Sequence, residues 1–143
     1  MPQLGYSLGR DVAVDIITPM GKLRIPKVTK FTSKTKLTST DITALSGSTD
    51  TLQTPKGWEG QFDAERMDST LDDFWAQWED NYFNGIDTSG GTITETIEES
   101  NGSVSVYRYE NVSFHLTNPG DKEGDKTIKQ TMTFTANRRK KVA

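Results

Sequence analysis

The stretch Ser69–Gly85, STLDDFWAQWEDNYFNG, constrains the fold of this chain more than any other segment. Leu71, Phe74, Trp75, Trp78 and Tyr82 recur at intervals that place them on one stripe of a helix with about 3.6 residues per turn. Ser69 or Thr70 supplies an N-cap, Asp72 and Asp73 suit the positive end of the helix dipole, and Asn84-Gly85 supplies a stop. The surrounding sequence is rich in Thr, Val and Ile at alternating positions, the pattern of strands. A single aromatic-faced helix among strands predicts an α+β, mainly β, fold. Two packed antiparallel sheets, a sandwich or small barrel, would carry one flanking helix. Leu71, Phe74, Trp75, Trp78 and Tyr82 are expected to anchor its core.

The strands follow from alternation and turn chemistry. Asp11–Thr18 is β-rich and ends at the turn Pro19-Met20-Gly21. A second extended region runs from Leu23 to about Leu37, where Pro26 argues for an edge strand or a bulge. Ser39–Lys56 is rich in Ser, Thr and Asp and reads as the longest loop; long loops in compact domains are usually functional or mobile. Gly57–Met67 has two unlike faces: Trp58, Gly60, Phe62 and Ala64 on one, Glu59, Gln61, Asp63 and Glu65 on the other. Thr92–Glu99 and Val104–Leu116, joined by Asn101-Gly102, read as a hairpin with a type I′ turn. A phase change near Asn111 suggests a bulge. The last strand spans Lys126–Asn137 and puts Ile128, Met132, Phe134 and Ala136 on one face.

Composition narrows the function classes. The 143 residues suit a single domain spanning 1–143, and 32% are hydrophobic, so the core is thin. The net charge of -3 argues against tight nucleic-acid binding, which needs a basic footprint. The one basic run, Arg138–Lys141, reads as a solvated end. Without cysteine there is no disulfide framework, thiolate metal site or Cys nucleophile. No secretory signal pattern is visible at the N-terminus and no apolar run reaches the length of a membrane span, so a soluble protein made in a cytoplasm is expected.

No constellation for chemistry emerges. His115 is the only histidine and lies mid-strand. There is no G-x-S-x-G elbow and no phosphate-binding loop. Asp121–Asp125, DKEGD, lacks the alternating oxygen ligands of a calcium loop. Asp72 and Asp73 are explained by the helix dipole. No catalytic residue, cofactor or metal is therefore expected. One alternative remains, a β-sandwich module for a ligand such as a carbohydrate, with Trp58, Tyr107 and Tyr109 as an aromatic platform.

The order of elements resembles the tail tube proteins of bacteriophages, especially those of contractile tails, and the related secretion-system and pyocin-like tubes. The resemblance rests on the ribbon KVTKFTSKTKLTST, then PKGWEGQFDAER, the helix TLDDFWAQWED, the hairpin TITETIEESNGSVSVYRYENVSFHL and the closing strand IKQTMTFTANRR. It implies a tail-tube fold whose copies form hexameric rings. The inner strands would join into one β-barrel, and rings would stack into a tube for DNA ejection into the host cell. DNA would pass without specific binding. Such a subunit would be a structural protein of the virion tail, made in the host cytoplasm. Its partners would be itself, the tail sheath, the tape measure, and baseplate or terminator proteins. Lumen-facing candidates are then Glu59, Asp63 and Glu65, with Glu95 and Glu99 behind them. Ser39–Lys56 becomes a contact between rings, with Thr43, Asp50 and Leu52 as candidates.

Overall fold

The computed structural model describes residues 4–6, 8–9, 12–23, 25, 28–88 and 90–142. Asp11, the expected start of the first strand, and Pro26 lie outside them. Among these residues the elements run β1 (Val12–Thr18), β2 (Gly21–Leu23), β3 (Val28–Thr43), β4 (Thr49–Glu65), α1 (Thr70–Phe83), β5 (Gly91–Glu98), β6 (Val104–Asn118), β7 (Lys129–Ala136) and β8 (Arg138–Lys141). The fold is mainly β, antiparallel, with one helix.

Strands neighbour one another in the order β2-β1-β5-β6-β7-β4-β3, and β8 adds to β6. The joint is β6. Its first half pairs with β5 and β8; from Ser113 onward it pairs with β7. At the joint Asn111 takes φ 50, a left-handed conformation that Asn tolerates better than most residues. The opposite register slips between Gly91 and Ile93. That slip turns the strand, so Tyr109 and Val112 both face the core although three positions separate them. The sheet thereby folds into two layers, β2-β1-β5-β6-β8 and β6-β7-β4-β3.

The layers close on aromatic side chains. Tyr109 of the first layer meets Phe31, Trp58 and Phe134 of the second in edge-to-face contacts with centroids 5.6–6.1 Å apart. Its hydroxyl donates to Ser33 Oγ at 2.8 Å. Ile16, Ile93 and Val112 bury on one side, and Phe62, Ala64, Met132 and Phe134 on the other. Gly60 permits this closure, because a Cβ there would collide with the Thr32 carbonyl and the Phe134 ring.

The region expected to be a loop, Ser39–Lys56, is instead the end of a β-hairpin. Strands β3 and β4 keep pairing as far as Thr43↔Thr49. Gly47 N–H donates to Ala44 O and Ala44 N–H to Ser48 O, with Gly47 at φ 90. This three-residue turn needs only one left-handed glycine, so no Asn-Gly signal marks it. The same geometry closes β5–β6: Gly102 N–H donates to Glu99 O, Glu99 N–H to Ser103 O, and Gly102 has φ 84. Asn101 has no positive φ, so the expected type I′ turn is not formed. The extended region after Gly21 is likewise two strands, β2 in the first layer and β3 in the second.

Helix α1 starts after Ser69, whose hydroxyl donates to Asp73 Oδ2 at 2.7 Å. Asp68 Oδ1 accepts from the Thr70 hydroxyl at 2.6 Å and the Thr70 amide at 3.0 Å. Those bonds hold the Asp68 carboxyl below its ordinary value. The helix ends with Ile86 N–H on Asn81 O and Gly85 N–H on Tyr82 O, the paired bonds of a Schellman stop at Gly85.

Candidate assembly interface

Strand β4 shows the alternation expected of it. Trp58, Phe62 and Ala64 join the core, and Glu59, Gln61, Asp63 and Glu65 take the opposite face. The neighbours change the electrostatics of that face. Register places Lys30 opposite Asp63 and Lys34 opposite Glu59 on β3, and Lys129 opposite Glu65 on β7. Lys34 Nζ lies 3.4 Å from Glu59 Oε1. Thr131 donates to Asp63 Oδ1 at 2.8 Å. The strand is acidic, but the face is charge-balanced and otherwise Thr-rich. Glu65 Oε2 is buried with no hydrogen-bond partner.

Two of the carboxylates sit elsewhere. Glu95 does not face water: it is 8% exposed, on the core side of β5, and accepts a 3.0 Å bond from Arg139 Nη2. Glu99 follows β5 at the hairpin turn and accepts from Ser105 Oγ at 2.9 Å. Arg139 therefore is not part of a solvated end. Its guanidinium lies over Tyr107, with Trp58 and Tyr109 beside it, at 3.7, 4.9 and 5.7 Å from the ring centroids. These three aromatics enclose an arginine and form no open platform for a ligand.

The helix buries only its first half. Leu71 and Phe74 are in the core, and Trp75 packs against it. Tyr82, expected as an anchor, is 66% exposed, because its ring stacks on Trp78 and meets Phe83 on its own helix rather than on a buried core ring. Trp75, Trp78 and Tyr82 stack in a column with centroids 4.7 and 5.9 Å apart and rings 7° from parallel. The column ends against His115, 5.2 Å from Trp75. Phe74 meets Phe114 from the core side, so α1 lies along the β6 end of the second layer.

The β3–β4 hairpin projects as an arm, and every residue from Leu37 to Lys56 is exposed. Thr43 bonds Thr49 across the turn at 3.2 Å. Asp50, paired with Ile42, and Leu52, paired with Thr40, share the other face. Leu37, Ile42, Leu45 and Leu52 all present apolar surface to solvent. The second layer also has two edges that lack a strand: the outer side of β3 and the second half of β6. Among the described residues no group of acidic or histidine side chains is placed to hold a metal, and no helix is long and apolar enough to cross a membrane.

No family model matches this sequence, and no curated protein matches it. Solved structures do. A chain in the structure of the sheath/tube terminator of an extracellular contractile injection system, PVC, in its extended state matches with TM-score 0.63 at 12% identity. That match covers 99% of this chain and 100% of the other. The tube-terminating cap of the anti-feeding prophage matches with TM-score 0.62 at 10% identity, over 99% and 95%. The PVC sheath-tube complex in its extended state matches with 0.57 at 13% identity, over 100% and 92%.

This is a contractile-tail tube fold. At such identities the likeness lies in the path of the chain rather than in particular side chains. The arm, the helix and both sheet edges lie on the outside of the subunit.

Proposed function

We propose that this chain is a structural tube subunit that assembles with copies of itself into stacked hexameric rings, forming the conduit for DNA ejection in a contractile tail. The observation that carries the proposal is the match to tube and terminator assemblies over nearly the full length of both chains. The open edges support it. In the layer β3-β4-β7-β6 each strand opposes its neighbour, so β3 of one copy brought to the β6 end of the next, which α1 flanks, continues the antiparallel alternation. Closing the ring removes both edges, which are otherwise templates for aggregation.

In this reading the Thr-rich face bearing Glu59, Asp63 and Glu65 lines the lumen. Its lysines offset its carboxylates, so it offers a polyanion little net attraction. The arm carries Thr43, Asp50 and Leu52 to the next ring. Sheath, tape measure, baseplate and terminator proteins are the further partners, the tail of the virion is the location, and synthesis is in the host cytoplasm. The subunit acts by shape and assembly, without catalysis.

A second reading has the chain cap the tube, since the terminator and cap structures score above the sheath-tube complex. Negative-stain microscopy of the purified chain at high concentration separates the two. Rings that stack into tubes support the tube subunit, and rings that stay single support the cap. A uniform 15.9 kDa monomer overturns both.

A further inference from the structure

Charge is segregated along this sequence. From Ile16 to Thr40 every charged residue is a lysine or arginine; from Met67 to Tyr107 every charged residue is a carboxylate. Part of each block comes to opposite ends of one layer: β3 from the basic block and α1 from the acidic one. Strand β3 is its outermost strand, and α1 lies beside β6 at the far end. Lys30 and Lys34 are exposed on β3, at the outer edge of the face that also carries Glu59 and Asp63, and Glu79 and Asp80 are exposed on α1. Lys34 reaches Glu59 within the subunit, whereas Lys30, Glu79 and Asp80 have no ion pair among the described residues.

The helix flank also leaves apolar surface uncovered. A groove of about 310 Å³ runs beside the aromatic column, lined by Phe74, Trp78, Tyr82, Ile86, Val112 and Phe114. Tyr82, which lines it, and the neighbouring Phe83 are 66% and 79% exposed. Asp87 lines this groove, and Glu79 and Asp80 lie on the outward faces of the same helix. Exposed apolar surface beside carboxylates marks a surface that awaits a partner, and the chemistry that suits it is cationic with an apolar stem. Lysine has both: its ammonium pairs with carboxylates or sits over an aromatic ring, and its methylenes cover apolar surface. The β3 flank adds the exposed apolar residues Val28 and Leu37.

We propose that the acidic, aromatic flank formed by α1 on one copy receives the lysine-bearing β3 flank of the next copy. The inference rests on the ring reading above and supplies the chemistry of its lateral contact. Two unlike surfaces on opposite flanks are what a head-to-tail contact that closes into a ring requires. Exposed ion pairs are individually weak. Here they would orient the edge, while burial of Tyr82, Phe83 and the groove supplies the attraction.

The test is a charge swap scored by sedimentation velocity and negative stain, with circular dichroism as a check on folding. Lys30→Glu with Lys34→Glu, and separately Glu79→Lys with Asp80→Lys, should each raise the concentration needed for rings at least about tenfold, since like charges then face each other. Added salt should weaken wild-type rings in the same direction. Combining all four substitutions should restore rings. Because Lys34 also touches Glu59, Lys30→Glu with Asp80→Lys is a second swap that leaves that pair intact. If wild-type rings form and either reversal leaves them unchanged, or the combinations fail to restore them, this inference is wrong and the ring reading stands. A wild type that never leaves the monomer overturns both.

Discussion

Arg139 Nη2 and Glu95 Oε1, 44 positions apart in the chain, meet at 3.0 Å between the edge strand β8 and the core face of β5. Their side chains are only 22% and 11% exposed. The stacked Tyr107 and the flanking Trp58 and Tyr109 exclude water from the pair. The C-terminal basic run thus contributes one cation to the interior and leaves Arg138, Lys140 and Lys141 outside.

Removing one partner of this pair strands the other. Arg139→Met should destabilise the monomer by about 3 kcal/mol, because Glu95 stays buried without its counter-charge. Adding Glu95→Gln should recover part of that loss. Urea denaturation of the three proteins measures it, and a double variant no more stable than Arg139→Met would show that the charge is not the cause.

The two halves of α1 should respond differently to truncation. Phe74→Ala is expected to cost about 3–5 kcal/mol, the usual range for a buried aromatic. Tyr82→Ala should change monomer stability by no more than about 0.5 kcal/mol, as a surface substitution does. Trp78→Ala should fall between them at about 1–2 kcal/mol, since it loses stacking on Trp75 and Tyr82 but fills no closed cavity. Thermal unfolding monitored at low protein concentration, where assembly is absent, checks the order.

The arm should be separable from the fold. Thr40 pairs with Leu52 at a hydrogen-bonded position of the ladder, so replacing residues 41–51 by Asn-Gly closes the hairpin in register with a two-residue turn. The shortened protein should keep its melting temperature to within a few degrees. In the proposed assembly it should form rings that no longer stack. Tubes of normal length by electron microscopy would remove the arm from the inter-ring contact.

Reversing the proposed lumen face tests the conduit reading. Glu59→Lys, Asp63→Lys and Glu65→Lys together would make a balanced face strongly basic, and phosphate contacts would then retard DNA. Slower DNA release at unchanged tube yield is the expected outcome. Normal release kinetics would place the lumen on another face.

Tyr109 gives the fold an alkaline limit. Burial, reinforced by the nearby Glu95 carboxylate, raises its phenol above the ordinary value of 10.0. The unfolded chain therefore loses this proton first as pH rises. The contribution is complete below about pH 10 and declines above it. Unfolding midpoints should fall through that window, and Tyr109→Phe should flatten the fall at a cost of about 1 kcal/mol for the bond to Ser33. A pH profile identical in the variant would assign the effect elsewhere.

Much of the architecture was legible because it depends on local periods. The helix, the two faces of β4, the bend at Asn111 and the alternation of β7 are properties of residues a few positions apart, and side-chain direction follows from those periods alone. Buried Gln130 is one point where that logic needed the fold: it shares the core face of β7 with Met132, and it is tolerated there because Asp72 Oδ1 accepts its amide at 3.1 Å.

The sequence by itself determined which elements exist and which of their faces are apolar. Tertiary structure decided which polar residues meet and which apolar ones stay wet. Arg139 and Glu95 came inside because β8 pairs with β6 next to β5, a relation between distant strands that no local pattern encodes. Tyr82 stayed outside because its ring packs on Trp78 and Phe83 of its own helix, not on a core residue. Ser39–Lys56 became strands because two polar Thr-rich segments can pair along their backbones without an apolar face, and such pairing carries no periodic hydrophobic signal.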